Sequence, residues 1–153
     1  MITEQIVAKL NKNHMTIAVA ESCTGGMIAS SLVDVPGVSE CFEEGYVTYS
    51  NDAKEKNLGV SHETLIRFGA VSHETAEEMS TGVRARAKAT FGLATTGIAG
   101  PDGGTADKPV GLVYISCAGP QRVCTEEHIF SGDRTSVRRQ ATEAAFRLLL
   151  RCM

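Results

Sequence analysis

Thr16-Ile17-Ala18-Val19-Ala20-Glu21-Ser22-Cys23-Thr24-Gly25-Gly26 is the stretch that decides the fold. Its first five residues are apolar or β-branched, which marks a short buried strand. The strand runs straight into a glycine-bearing turn. Met27 to Val35 then reads as a helix, stopped by Pro36. Strand, tight turn and helix in that order open a crossover unit, and such units build parallel sheets with right-handed connections.

Upstream, Thr3 to Asn13 reads as an amphipathic helix, with Ile6, Val7 and Leu10 on one face and Lys9 and Lys12 on another. Downstream, Glu44 to Ser50 carries Tyr46, Val47, Thr48 and Tyr49, which suit a half-buried strand. Asn51 to Leu58 reads as a short helix ended by Gly59, and Ser61 to Phe68 as another closed by Gly69. Ser72 to Thr90 is a long helix with Ala76, Met79, Val83 and Ala87 at helical spacing. Ser61 and Ser72 each precede His-Glu-Thr, which places a carboxylate in the first turn. Their flanks differ, so these are two similar caps and not a repeat.

Phe91 to Thr96 reads as a third strand. It enters Gly97-Ile98-Ala99-Gly100-Pro101-Asp102-Gly103-Gly104, where four glycines in eight residues forbid a regular element. A long loop inside a compact domain is usually functional or mobile. Gly111 to Ala118 and Val123 to Phe130, joined by Gly119-Pro120-Gln121, read as an antiparallel hairpin. Ser131-Gly132-Asp133-Arg134 is a turn and cap, and Thr135 to Arg151 the last helix. The expected architecture is α/β: one domain over residues 1–153, a three-layer α/β/α sandwich. Its sheet is mixed and five-stranded, with one strand antiparallel.

Ligands of such sheets bind beyond the C-terminal strand ends. The turn at Gly25-Gly26, the Ser50-Asn51 step and the Thr96–Gly104 loop should share that edge. Glycines followed by a helix start make an anion site, because free N–H groups face the ligand. The pattern is neither a dinucleotide fingerprint nor a P-loop. Glu21 adds negative charge there, so it is expected to hold a ribose hydroxyl or a backbone N–H.

A second constellation is Ser39, Tyr49 and Lys54, spread around the Glu44–Ser50 strand. A serine hydroxyl needs a base to become nucleophilic, and a lysine serves only if burial lowers its pKa. A tyrosine hydroxyl can relay a proton or donate to an oxyanion. The plainer reading is that Ser39 caps a turn, Tyr49 packs and Lys54 is solvated.

Composition narrows the classes. The net charge of −3 argues against a large nucleic-acid footprint, and the absence of tryptophan against a base-stacking platform. Five cysteines without a CxxC indicate neither a disulfide framework nor a zinc site. A reducing cytoplasm is the expected location. The four histidines lack ligand spacing, the N-terminus is too polar for a signal peptide, and no apolar run approaches membrane-spanning length.

Several stretches together resemble the C-terminal domain family of CinA, which includes nicotinamide mononucleotide deamidases. They are Ala20–Gly26, Gly45–Lys54, Gly69–Ser72, Thr96–Gly104, Lys108–Gly111 and Ser131–Arg134. The resemblance covers nearly the whole chain in order. It implies an enzyme, without cofactor or metal, that hydrolyses the carboxamide of nicotinamide mononucleotide and releases ammonia. It places the nucleophile on Ser39, with Ser22 as the rival, the lysine on Lys54 and the tyrosine on Tyr49. It implies substrate contacts at Glu21, Ser22, Thr24, Gly25, Ser50, Asn51, Thr96, Gly97 and Gly100. The phosphate arginine falls on Arg134, with Arg138 or Arg139 as alternatives. The competing expectations are a non-catalytic nucleotide-binding or regulatory module and an amidase for another pyridine or nucleoside substrate. The small-molecule substrate is the expected partner, with neither membrane nor nucleic acid, and the chain is expected to form a homo-oligomer, a dimer or trimer.

Overall fold

The computed structural model describes residues 1–153. Five strands form one sheet in the order β2-β1-β3-β4-β5: β1 Ile17–Glu21, β2 Phe42–Val47, β3 Phe91–Gly97, β4 Leu112–Ala118 and β5 Val123–Ile129. β1 pairs in parallel with both β2 and β3, while β3–β4 and β4–β5 are antiparallel. β4 alone therefore runs against the other four, the single antiparallel strand that was expected.

Helices cover both faces. α1 Ile2–Lys12, α2 Met27–Val33 and α6 Arg134–Cys152 lie on one side; α3 Asn51–Leu58, α4 His62–Phe68 and α5 His73–Ala87 lie on the other. β1 is buried at every residue, because a central strand has no solvent face. Ile17 and Val19 enter the α1/α2/α6 core, and Ala18 and Ala20 the α5 core. The outer strand β2 alternates half-buried and exposed residues along its length.

Among the boundaries that differ from expectation, three do so for a clear local reason. α5 stops at Ala87, where Lys88 turns left-handed (φ 53°) and its N–H bonds back into the last turn. α2 stops at Val33, with Asp34 as its C-cap before Pro36. β2 ends at Val47, and the Thr48 and Tyr49 carbonyls leave the ladder to receive the Lys54 ammonium. The strand is cut short by the site it serves.

α5 presses α3 into place at Gly82. A Cβ there would lie 1.9 Å from the Leu58 carbonyl oxygen. Alanine is the better helix former by about 1 kcal/mol, but this clash is with backbone and cannot be relieved by a rotamer change. We expect Gly82→Ala to lower stability by about 1–3 kcal/mol and the Tm by about 3–10 °C. A Tm at or above that of the parent in a thermal melt contradicts the packing described.

Candidate active site

The three parallel strands bring Glu21, Val47 and Gly97 to one edge of the sheet. The residues that follow them converge there. Ser22 lies one step beyond β1, with its N–H donating to the Thr95 carbonyl (3.0 Å). Lys54 sits in the first turn of α3, held by the Ser50 N-cap, whose Oγ accepts from the Ala53 N–H (3.1 Å).

Lys54 is 1 % exposed and Ser22 7 %. The Lys54 Nζ donates to the carbonyl oxygens of Thr48 (2.8 Å) and Tyr49 (3.4 Å) and meets Ser22 Oγ at 3.2 Å. No carboxylate is among its hydrogen-bond partners. Burial pushes its pKa down from 10.5 to about 8, with a smaller opposing pull from Cys23. In the neutral amine the two carbonyls take both N–H bonds. That leaves the lone pair for the third neighbour, the Ser22 hydroxyl, which can then donate to it. That is the geometry of a base beside its nucleophile.

Ser39 does not join this pair. It is exposed, in a 3-10 turn (Val38–Glu40) at the start of β2, whereas Lys54 follows the end of that strand. Six extended residues separate the two by about 20 Å. The strand between them holds them apart, and Ser22 takes the place beside the amine.

The anion site expected at the start of α2 is filled from within. Glu21 is buried, and its carboxylate accepts from the N–H groups of Gly26 (3.1 Å), Ile28 (3.1 Å) and Ala29 (2.9 Å) and from the Thr24 hydroxyl (2.5 Å). An internal carboxylate thus satisfies the helix start. Glu21 is the backbone clamp of its two expected roles, and it shapes the turn that presents Ser22. Thr24 Oγ1 also pairs with Thr95 Oγ1 (2.8 Å), and the buried Thr96 hydroxyl donates to the Ala70 carbonyl (2.7 Å). Both hydroxyls, expected to face substrate, are engaged by the protein.

The arginines divide. Arg134 donates to the Gly100 carbonyl (2.6 Å) and to the Tyr49 hydroxyl (3.0 Å), so it ties the glycine loop to the mouth of the site. Tyr49 is 62 % exposed, with its ring outside and its carbonyl on Lys54. Arg138 clamps the nucleophile turn, donating to the carbonyls of Cys23 and Thr24 at 3.0 Å each. Arg139 faces away, into a hollow beside Met1, Ile2, Met27, Asp34 and Phe146 on the α1/α2 side. Gly25 is exposed in the turn (φ 58°), Asn51 is exposed at the start of α3, and Gly97 is half-buried at the end of β3. Thr48 Oγ1 is buried without a partner next to the carbonyl that holds Lys54. No group of three or more His, Cys, Asp or Glu side chains is arranged to hold a metal ion. No helix is long and apolar enough to cross a membrane.

Ser22 was legible as the partner of Lys54. Both residues follow parallel strands and so share the C-terminal edge, while Ser39 precedes one. Arg138 left no comparable signal, because its target is a backbone turn more than a hundred residues earlier.

An α/β/α sandwich with a buried serine–lysine pair at its strand ends defines the class. The family model described as the CinA C-terminal domain matches residues 1–153, and the chain belongs to that family. It is similar to the crystal structure of a competence/damage inducible protein, CihA, from Agrobacterium tumefaciens, with a TM-score of 0.96 and 41 % identity over 97 % of this chain and 92 % of that one. A CinA superfamily protein from Escherichia coli superposes with a TM-score of 0.96 at 35 % identity, over 99 % of this chain and 88 % of that one. A Clostridium beijerinckii relative, whose name carries the words competence-damage inducible protein, is 50 % identical over 98 % of this chain and 37 % of its own. The chain spans about a third of the length of the curated relatives it matches.

Proposed function

We propose that this chain is an amidohydrolase that converts nicotinamide mononucleotide to the corresponding acid and ammonia, with Ser22 as nucleophile and Lys54 as general base. One observation carries the chemistry: a buried amine with two carbonyls on its N–H groups and a serine hydroxyl in its third direction. The choice of substrate rests on the family resemblance.

Neutral Lys54 takes the proton of Ser22, whose Oγ attacks the carboxamide carbon. The Thr24 N–H, which finds no acceptor within the chain, meets the oxyanion, since the N–H groups of Ser22 and Gly25 are taken by the Thr95 and Ser22 carbonyls. Loss of one such donor costs about a hundredfold or more in rate. The Lys54 ammonium returns its proton to the leaving nitrogen, ammonia departs, and Lys54 then activates the water that cleaves the ester. With α2 closed by Glu21, the substrate phosphate falls to Arg134 and the exposed amides at the start of α3, for which a forked guanidinium is suited.

The alternative is a module that binds the nucleotide without hydrolysing it. The near-complete burial of Ser22 and Lys54 favours it, since substrate must displace the surrounding loops to reach them. An ammonia-release assay separates the two. Turnover of nicotinamide mononucleotide, with free nicotinamide and the riboside much poorer, supports the amidase and the phosphate grip. Saturable binding without product supports the module.

The working form of Lys54 is the neutral one, and its pKa lies near 8. The kcat/KM should therefore rise about tenfold per pH unit below pH 8 and level off above it. A profile flat from pH 6 to 9 removes Lys54 as the base.

A further inference from the structure

Ser22 opens a β-turn, Ser22-Cys23-Thr24-Gly25, closed by the Gly25 N–H donating to the Ser22 carbonyl (3.1 Å). The ends of this turn are pinned. The Ser22 N–H is held by the Thr95 carbonyl, the Thr24 hydroxyl by Glu21 and Thr95, and the Gly26 N–H by Glu21. The peptide between Cys23 and Thr24 is held differently. A middle peptide of this kind can rotate while the ends of its turn stay in place, which is what separates a type I from a type II turn. The Cys23 carbonyl meets one donor in the chain, the Arg138 Nε (3.0 Å), while Nη2 of the same guanidinium donates to the Thr24 carbonyl (3.0 Å). The guanidinium lies so close over the turn that a Cβ on Gly25 would stand 3.1 Å from Nη2.

We propose that Arg138 is a positioning residue that aims the Thr24 N–H at the oxyanion. This role rests on the amidase reading, in which that N–H is the oxyanion donor. The carbonyl and the N–H of a trans peptide point in opposite directions, and this peptide is trans. α6 carries Arg138 on one face of the sheet, and α3 carries Lys54 on the other. A Cys23 carbonyl drawn towards α6 therefore turns the Thr24 N–H towards the face of Lys54, whose Nζ meets Ser22 Oγ at 3.2 Å. The aim is set before the reaction begins, so no reorientation is needed as the charge develops.

An arginine on the substrate phosphate would act on ground state and transition state alike and show itself in KM. One that aims an oxyanion donor acts only as the carbonyl oxygen gains charge, and shows itself in kcat. Thr24 limits the size of the effect. Full rotation to a type II turn needs positive φ at that position, which a β-branched residue resists. Loss of Arg138 therefore tilts the donor rather than reversing it, and costs less than the hundredfold or more of deleting a donor outright.

The test compares Arg138→Met with the parent on nicotinamide mononucleotide. kcat should fall about tenfold while KM stays within about threefold. The aldehyde analogue of the substrate, to whose carbonyl the Ser22 hydroxyl adds as a hemiacetal, should lose affinity by the same factor as kcat/KM. In a Ser22→Ala background, Arg138→Met should leave the affinity for nicotinamide mononucleotide within about threefold by calorimetry. Arg138→Lys, which keeps one donor for the Cys23 carbonyl, should show the same split on a smaller scale. It carries the test alone if circular dichroism finds Arg138→Met unfolded. A raised KM at unchanged kcat puts Arg138 on the phosphate, and a kcat within about twofold of the parent leaves it a structural clamp. Either result overturns the proposal while the amidase reading stands. A parent that releases no ammonia overturns that reading, and the role of Arg138 with it.

Discussion

Ser22→Ala is expected to abolish ammonia release from nicotinamide mononucleotide, with kcat falling roughly a thousandfold or more. Nothing else in the site offers a nucleophile to Lys54, whose other partners are two carbonyl oxygens. The hydroxyl is small and its removal leaves the Glu21 and Arg138 clamps on the turn in place. Substrate affinity should therefore change by less than about tenfold, since the groups assigned to the phosphate remain. Ser39→Ala is the matched control. It sits at the other end of β2, and its activity should stay within about twofold of the parent. If Ser22→Ala turns over normally, or Ser39→Ala is the inactive one, the pairing of Ser22 with Lys54 does not describe the reaction.

Lys54→Met is expected to be equally inactive, and it carries a second signature in stability. The Lys54 pKa is lowered from 10.5 in the unfolded chain to about 8 in the fold. Between those values the unfolded state binds more protons than the native one, so stability rises with pH there. The cost of burying the ammonium is complete below pH 8 and gone above 10.5. Lys54→Met has no such group, and other titrating residues cancel between the two proteins. The stability of the parent relative to the variant should therefore climb by on the order of 2 kcal/mol from pH 7 to pH 11, allowing for partial screening of the full shift. Denaturant unfolding at the two pH values measures it. A difference that stays constant means that Lys54 titrates as a solvated lysine.

Most of the fold could be read along the chain because it is local. The apolar run at Ile17–Ala20, the cap at Ser72 and the hairpin turn at Gly119-Pro120-Gln121 each speak within a few residues. Strands separated by helices imply parallel pairing, and the one close-spaced pair implies one reversed strand. The site was legible in part. The edge at which it forms follows from topology, and Lys54, Tyr49 and Arg134 do lie there. The resemblance put the nucleophile on Ser39, which the direction of β2 sets at the far end of that strand from Lys54. Glu21 was ambiguous because a carboxylate beside a helix start can serve either a ligand or the helix itself.

The amino-acid order by itself determined the element sequence, the mixed sheet and the edge where chemistry can occur, because periodicity, turn residues and crossover handedness are short-range constraints. Only the tertiary structure decided which arginine is spent on a turn and whether Glu21 serves a ligand or the helix start. Those outcomes depend on side-chain directions across elements that the chain brings together over tens of residues, and no local pattern encodes them.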